Sequence, residues 1–96
     1  MFFAEITRDG IAFCAFETER EASEWIVDEL GSDYSNDFWV GNNGKLHCSG
    51  RSLDFSAIVH NSLEHAITSN AAIDPEAMPT VFRALCDAVE IAQDAY

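Results

Sequence analysis

Two short runs at the start of the chain, Phe2 to Thr7 and Ile11 to Phe16, are rich in apolar residues and flank Arg8-Asp9-Gly10. Asp-Gly between apolar runs tolerates the positive φ angles of a tight turn, so the pattern predicts a β-hairpin. Pairing across Asp9-Gly10 places Ala4, Ile6, Phe13 and Ala15 on one face, the expected core. Glu5, Thr7, Ala12 and Cys14 then take the other face, where Phe3 meets Phe16.

The period changes after Thr18. Thr18 with Glu21 three residues on is a capping-box pattern, Gly31 is a stop signal, and Ala22, Trp25, Ile26 and Leu30 form an apolar stripe at helical spacing. Asp37 to Val40 and Lys45 to Ser49 surround Gly41-Asn42-Asn43-Gly44, which predicts a second hairpin closed by a type I′ turn, with Trp39, Leu46 and Cys48 sharing a face.

A second helix is expected from Ser52 or Asp54 to Ser69. Phe55, Ile58, Val59, Leu63, Ala66 and Ile67 would face inward, and His60, Asn61, Glu64 and His65 outward. Asp74-Pro75 opens a third helical region, where Pro79 implies a short turn before the main helix. That helix carries Val81, Phe82, Leu85, Ala88, Val89 and Ala92 inward. The order ββαββαα predicts an α+β fold: two β-hairpins of antiparallel strands, packed with three helices that cover one face.

Composition narrows the functional classes. The 96 residues are 48% hydrophobic with 11 aromatics, enough for one compact domain with its own core rather than a disordered acidic tail. The opening MFFAEITRDG lacks the pattern of a secretory signal, and no window approaches the roughly 20 apolar residues of a membrane span, so a cytoplasmic protein is expected. Cys14, Cys48 and Cys86 form no CxxC pair and are odd in number, so buried free thiols are expected.

Charge changes the picture most. Seventeen acidic residues face five basic ones, for a net charge of -12, and eight of the acids lie between Glu17 and Asp37 with only Arg20 among them. Direct nucleic-acid binding and anionic membranes are disfavoured by sign alone. On a helical wheel Glu17, Glu21, Glu24 and Asp28 share an arc opposite the apolar stripe, with Arg20 placed to pair with Glu24. Eleven helical steps rise about 16 Å, a length over which one DNA strand presents roughly five phosphates. Glu29, Asp33 and Asp37 extend this region, and Asp87, Glu90 and Asp94 form a second acidic face on the last helix. Such rows are also what solvated helix faces or adaptation to high salt produce.

No pattern names a reaction: GxSxG, a Walker loop and HExxH are all missing, and His60 and His65, five positions apart on one helix, would point in different directions. The expectation is a protein that is not an enzyme, with no cofactor, no metal and no catalytic residues.

In size, compactness and the carboxylates of Glu17 to Asp37 and Asp87 to Asp94, the chain resembles small acidic phage-encoded inhibitors, among them anti-CRISPR proteins that mimic DNA. That resemblance implies a bacterial or phage origin and a partner with a basic surface, such as a nucleic-acid-binding enzyme or complex; a monomer or weak dimer is expected. An immunity or antitoxin-type protein that neutralises a nuclease is the alternative. There a focused hot spot, with Tyr34, Phe38 or Trp39 exposed beside Asp33 and Asp37, would carry the energy. A further alternative is an accessory acidic domain whose acidic face has no dedicated partner.

Overall fold

A computed structural model describes residues 1–95. The strands are β1 (Phe2–Ile6), β2 (Ala12–Phe16), β3 (Phe38–Val40), β4 (Leu46–Cys48) and β5 (Ala57–His60), and the helices are α1 (Glu19–Leu30), α2 (Leu63–Ile73) and α3 (Met78–Ala95). They form an α+β fold with two small antiparallel sheets, one ordered β2-β1-β5 and the other pairing β3 with β4.

The helices do not share one face, as the sequence suggested; they sandwich the larger sheet. Ala4 and Ile6 of β1 pack with Ala22, Ile26 and Leu30 of α1 and with Phe38. On the opposite face Phe3 and Ala15 pack with Ala66 of α2 and with Val81, Leu85, Ala88 and Ala92 of α3. A strand covered on both sides needs apolar residues at odd and even positions alike, so its pattern no longer fixes register. The first hairpin is accordingly one residue out of the expected pairing. Phe3 faces Ala15, Ala4 faces Cys14 and Glu5 faces Phe13, and the connection spans residues 7–11 with positive φ at both Asp9 and Gly10.

The second hairpin also differs in its turn. The Gly44 N–H donates to the Gly41 carbonyl at 3.0 Å and only Gly44, not Asn42 or Asn43, takes a positive φ of 80°. This is a three-residue loop, a tight turn over residues 41–44 ending in a left-handed glycine, rather than a two-residue type I′ turn. Trp39 therefore pairs with His47, on the face opposite Leu46 and Cys48.

The start of the expected second helix is strand β5. Leu53, Phe55, Ala57 and Val59 all pack toward the α1 side, a period of two that only a strand satisfies. Helix α2 begins after Ser62, whose hydroxyl accepts the His65 N–H at 3.0 Å. The caps of α1 stand where expected: Thr18 accepts the Glu21 N–H at 3.2 Å, and Gly31, at φ 78°, closes the helix on Val27. A 3-10 turn, Pro75–Ala77, precedes α3 as Pro79 implied. Leu63 and Phe82, expected inward, are exposed along a shallow groove between α2 and α3. Among the described residues no helix is long and apolar enough to cross a membrane.

Ile26 is fully buried between α1 and the sheet, whereas Ile73 is 83% exposed. Ile26→Ala is expected to lower stability by about 2–5 kcal/mol, and Ile73→Ala to change it by less than about 0.5 kcal/mol. Urea midpoints of the two variants check the contrast.

Candidate functional site

The acidic surface is built on α1. Ser23, buried beneath the helix, donates to the Gly44 carbonyl at 3.0 Å, and Arg20 donates to the Asn42 carbonyl at 2.7 Å. Both bonds fasten the N-terminal half of α1 to the tip of the second hairpin. They also draw Arg20 away from Glu24, the partner its spacing suggested. Glu21 accepts the Thr18 hydroxyl at 2.9 Å, while Glu24, Asp28 and Glu29 are exposed and, among the described residues, make no hydrogen bond or ion pair.

Glu17 is exposed but precedes the Thr18 cap, so it lies outside the helical row. The helical row is Glu21, Glu24 and Asp28, which spans about 10 Å, the axial length of roughly three phosphates on one DNA strand. Asp33 is exposed in the 3-10 turn Ser32–Tyr34 that follows.

Asp37 does not belong to this surface. It is only 6% exposed and binds Arg51 through two bonds, 2.7 and 2.8 Å, with Ser49 Oγ at 3.4 Å. The Arg51 guanidinium donates to this carboxylate and holds it below the usual carboxylate range. Asp87, Glu90 and Asp94 are exposed, but α3 packs on the sheet face opposite α1. The two acidic faces thus point away from one another and cannot meet one flat partner surface.

The aromatic candidates separate as well. Phe38 is buried and Tyr34 is half-buried against Phe55, with ring centres 5.0 Å apart and Arg8 lying over both rings. Trp39 remains 43% exposed and stacks on His47 at 6.0 Å. Gly41 makes room for that imidazole, because a Cβ there would sit 2.4 Å from the ring.

A polar cluster that the helical reading of residues 52–69 concealed lies under α2. His60, 1% exposed, sets Nε2 3.0 Å from Glu5 Oε1 and Nδ1 2.8 Å from His65 Nδ1. Asn70 donates to the same Glu5 oxygen at 2.8 Å. Two facing Nδ1 atoms at that distance share one hydrogen, so one nitrogen donates and the other accepts. The imidazoles meet because β5 ends at His60 and the chain turns before α2. The signal available in sequence was Glu5, an acid inside an apolar strand, which requires a buried partner.

The cysteines divide differently from expectation. Cys48 and Cys86 are exposed and Cys14 is half-buried, where burial pushes its thiol up. No protein-family model, curated protein or solved structure matches the chain.

Replacing Glu5 by Ala leaves the buried His60 ring N–H and an Asn70 amide hydrogen without their acceptor. A loss of about 1–3 kcal/mol is expected from urea unfolding. For Asp37 the sign follows from its depressed titration. Its contribution is complete above the unfolded value of about 3.9 and disappears as pH falls through the lower folded value. The stability gap between the wild type and Asp37→Asn should therefore persist from neutral pH to about pH 4 and narrow below it, as urea midpoints in that range would show.

Proposed function

We propose that the protein is a non-enzymatic inhibitor that presents the exposed face of α1 as an imitation polyanion to a basic, nucleic-acid-binding protein surface. An effector of the CRISPR type is the kind of target that the phage-inhibitor resemblance suggests. The observation that carries this reading is the uncompensated row Glu21, Glu24 and Asp28, with Glu29 beside it. Arg20, adjacent to the row in sequence, is held by a hairpin carbonyl instead.

Like charges at spacings of three and four cost an exposed helix a few tenths of a kcal/mol each. A positive groove would turn that cost into attraction and speed encounter, while blocking the groove to its nucleic acid. Because the α3 acids face the other way, the occluding surface is α1 with Glu17 and Asp33 at its ends, and Asp37 and the α3 acids are outside it.

One observation favours a focused contact of the immunity-protein kind. Trp39, exposed and seated on His47, is the sort of rigid aromatic anchor that dominates interface energetics.

Affinity capture from a bacterial lysate, with elution by rising salt, tests both. The polyanion reading expects a nucleic-acid-binding protein that elutes at moderate salt and is displaced by DNA or RNA. The variant Glu21→Lys, Glu24→Lys and Asp28→Lys changes the net charge from -12 to -6, two units at each of three positions, and should lose that capture while keeping its circular dichroism spectrum. Retained capture by this variant, lost instead in Trp39→Ala, would replace the row with the aromatic anchor.

A further inference from the structure

The two sheets present free edges to one cleft. In the larger sheet, the Thr7 N–H donates to the Ser56 carbonyl at 2.9 Å, and the antiparallel alternation continues through the pairs Glu5 with Ile58 and Phe3 with His60. The backbone groups of Ala57 and Val59 therefore point away from β1. In the smaller sheet, the Gly41 N–H donates to Lys45 and the Ser49 N–H to Asp37, both at 2.9 Å, which directs the backbone groups of Leu46 and Cys48 away from β3. Among the described residues none of these N–H and C=O groups has a hydrogen-bond partner. All belong to residues lining a single cleft of about 500 Å³, whose apolar wall also includes Ile58 and Ile73.

We propose that this cleft takes an extended, basic segment of a partner protein, which inserts as a strand and pairs its backbone with β5 on one side and β4 on the other. Unpaired strand edges are complementary to another strand's main chain. The charge of the occupant follows from the walls. Glu19 lines the cleft, Glu5 is already bonded to His60 and Asn70, and among the described residues no lysine or arginine lines it. A second copy would bring its own -12 charge to the same place, which opposes edge-to-edge self-pairing. The acidic row on α1 plays no part in this inference.

The test is amide hydrogen exchange read by NMR, using an acetylated hexapeptide of alternating lysine and valine as the probe. Recognition through the main chain tolerates sequence, so a generic strand suffices. At a peptide concentration about ten times its Kd, the amides of Leu46, Cys48, Ala57 and Val59 should exchange about tenfold more slowly. The same peptide N-methylated at all six residues has equal charge but lacks every main-chain donor toward both edges, and should protect none of these amides. Val59→Pro removes an outward-facing N–H at an edge position, where proline is tolerated, and should abolish protection at Ala57. The α1 triple lysine variant should keep the protection, which separates this site from the polyanion surface. Equal binding of the methylated peptide, protection confined to α1, no binding of either peptide, or a concentration-dependent dimer protecting the same amides without peptide would each overturn the proposal.

Discussion

Strand β1 is hydrogen-bonded on both edges and covered by helices on both faces, and it nevertheless carries a carboxylate, Glu5, into the interior. A buried acid requires partners, and those available are His60 and Asn70, which lie 55 and 65 residues away. Their bonds tie the first strand to the last strand of its sheet and to the helix that follows. His60 in turn reaches His65, so the turn from β5 into α2 is fixed from inside as well as by the Ser62 cap. The same strand explains why α1 and α3 occupy opposite sides: each takes one of its two apolar faces.

The parts of the fold that were legible in sequence are those decided by a few neighbouring residues. Thr18, Glu21 and Gly31 bound α1, Asp74-Pro75 and Pro79 divide the 3-10 turn from α3, and the inward stripe of α1 follows from 3.6-residue spacing. The hairpins were visible as hairpins, but their registers were not, because register depends on what covers each face. Strand β5 was hidden for the same reason. The helical reading from Ser52 or Asp54 to Ser69 takes in residues 57–60, and their alternation becomes a strand only because β1 supplies an edge to pair with.

The acidic site was half legible. Spacing alone correctly put Glu21, Glu24 and Asp28 on one exposed face of α1. It could not show that Arg20 would be drawn to Asn42, that Arg51 would withdraw Asp37, or that the α3 acids would face elsewhere. Each of those outcomes is a tertiary contact between segments far apart in the chain. Together they sharpen the row, because Arg20, beside it in sequence, is engaged by a carbonyl, and Asp37, the buried acid among the candidate residues, is the one with an arginine partner.

Charge and free strand edges are linked in this molecule. Short, exposed edges such as β4 and β5 invite pairing with any available strand, including those of other copies, and proteins guard against this with charge. Here the guard is the net charge of the whole chain, which repels another copy while leaving the backbone groups of Leu46, Cys48, Ala57 and Val59 accessible. A repulsion of this kind is selective by sign. It weakens self-association, and for a segment rich in lysine or arginine the same field becomes attraction. An edge kept open under a strongly negative potential is therefore biased toward basic partners before any side-chain contact forms, and that bias acts on the cleft and on the α1 face alike.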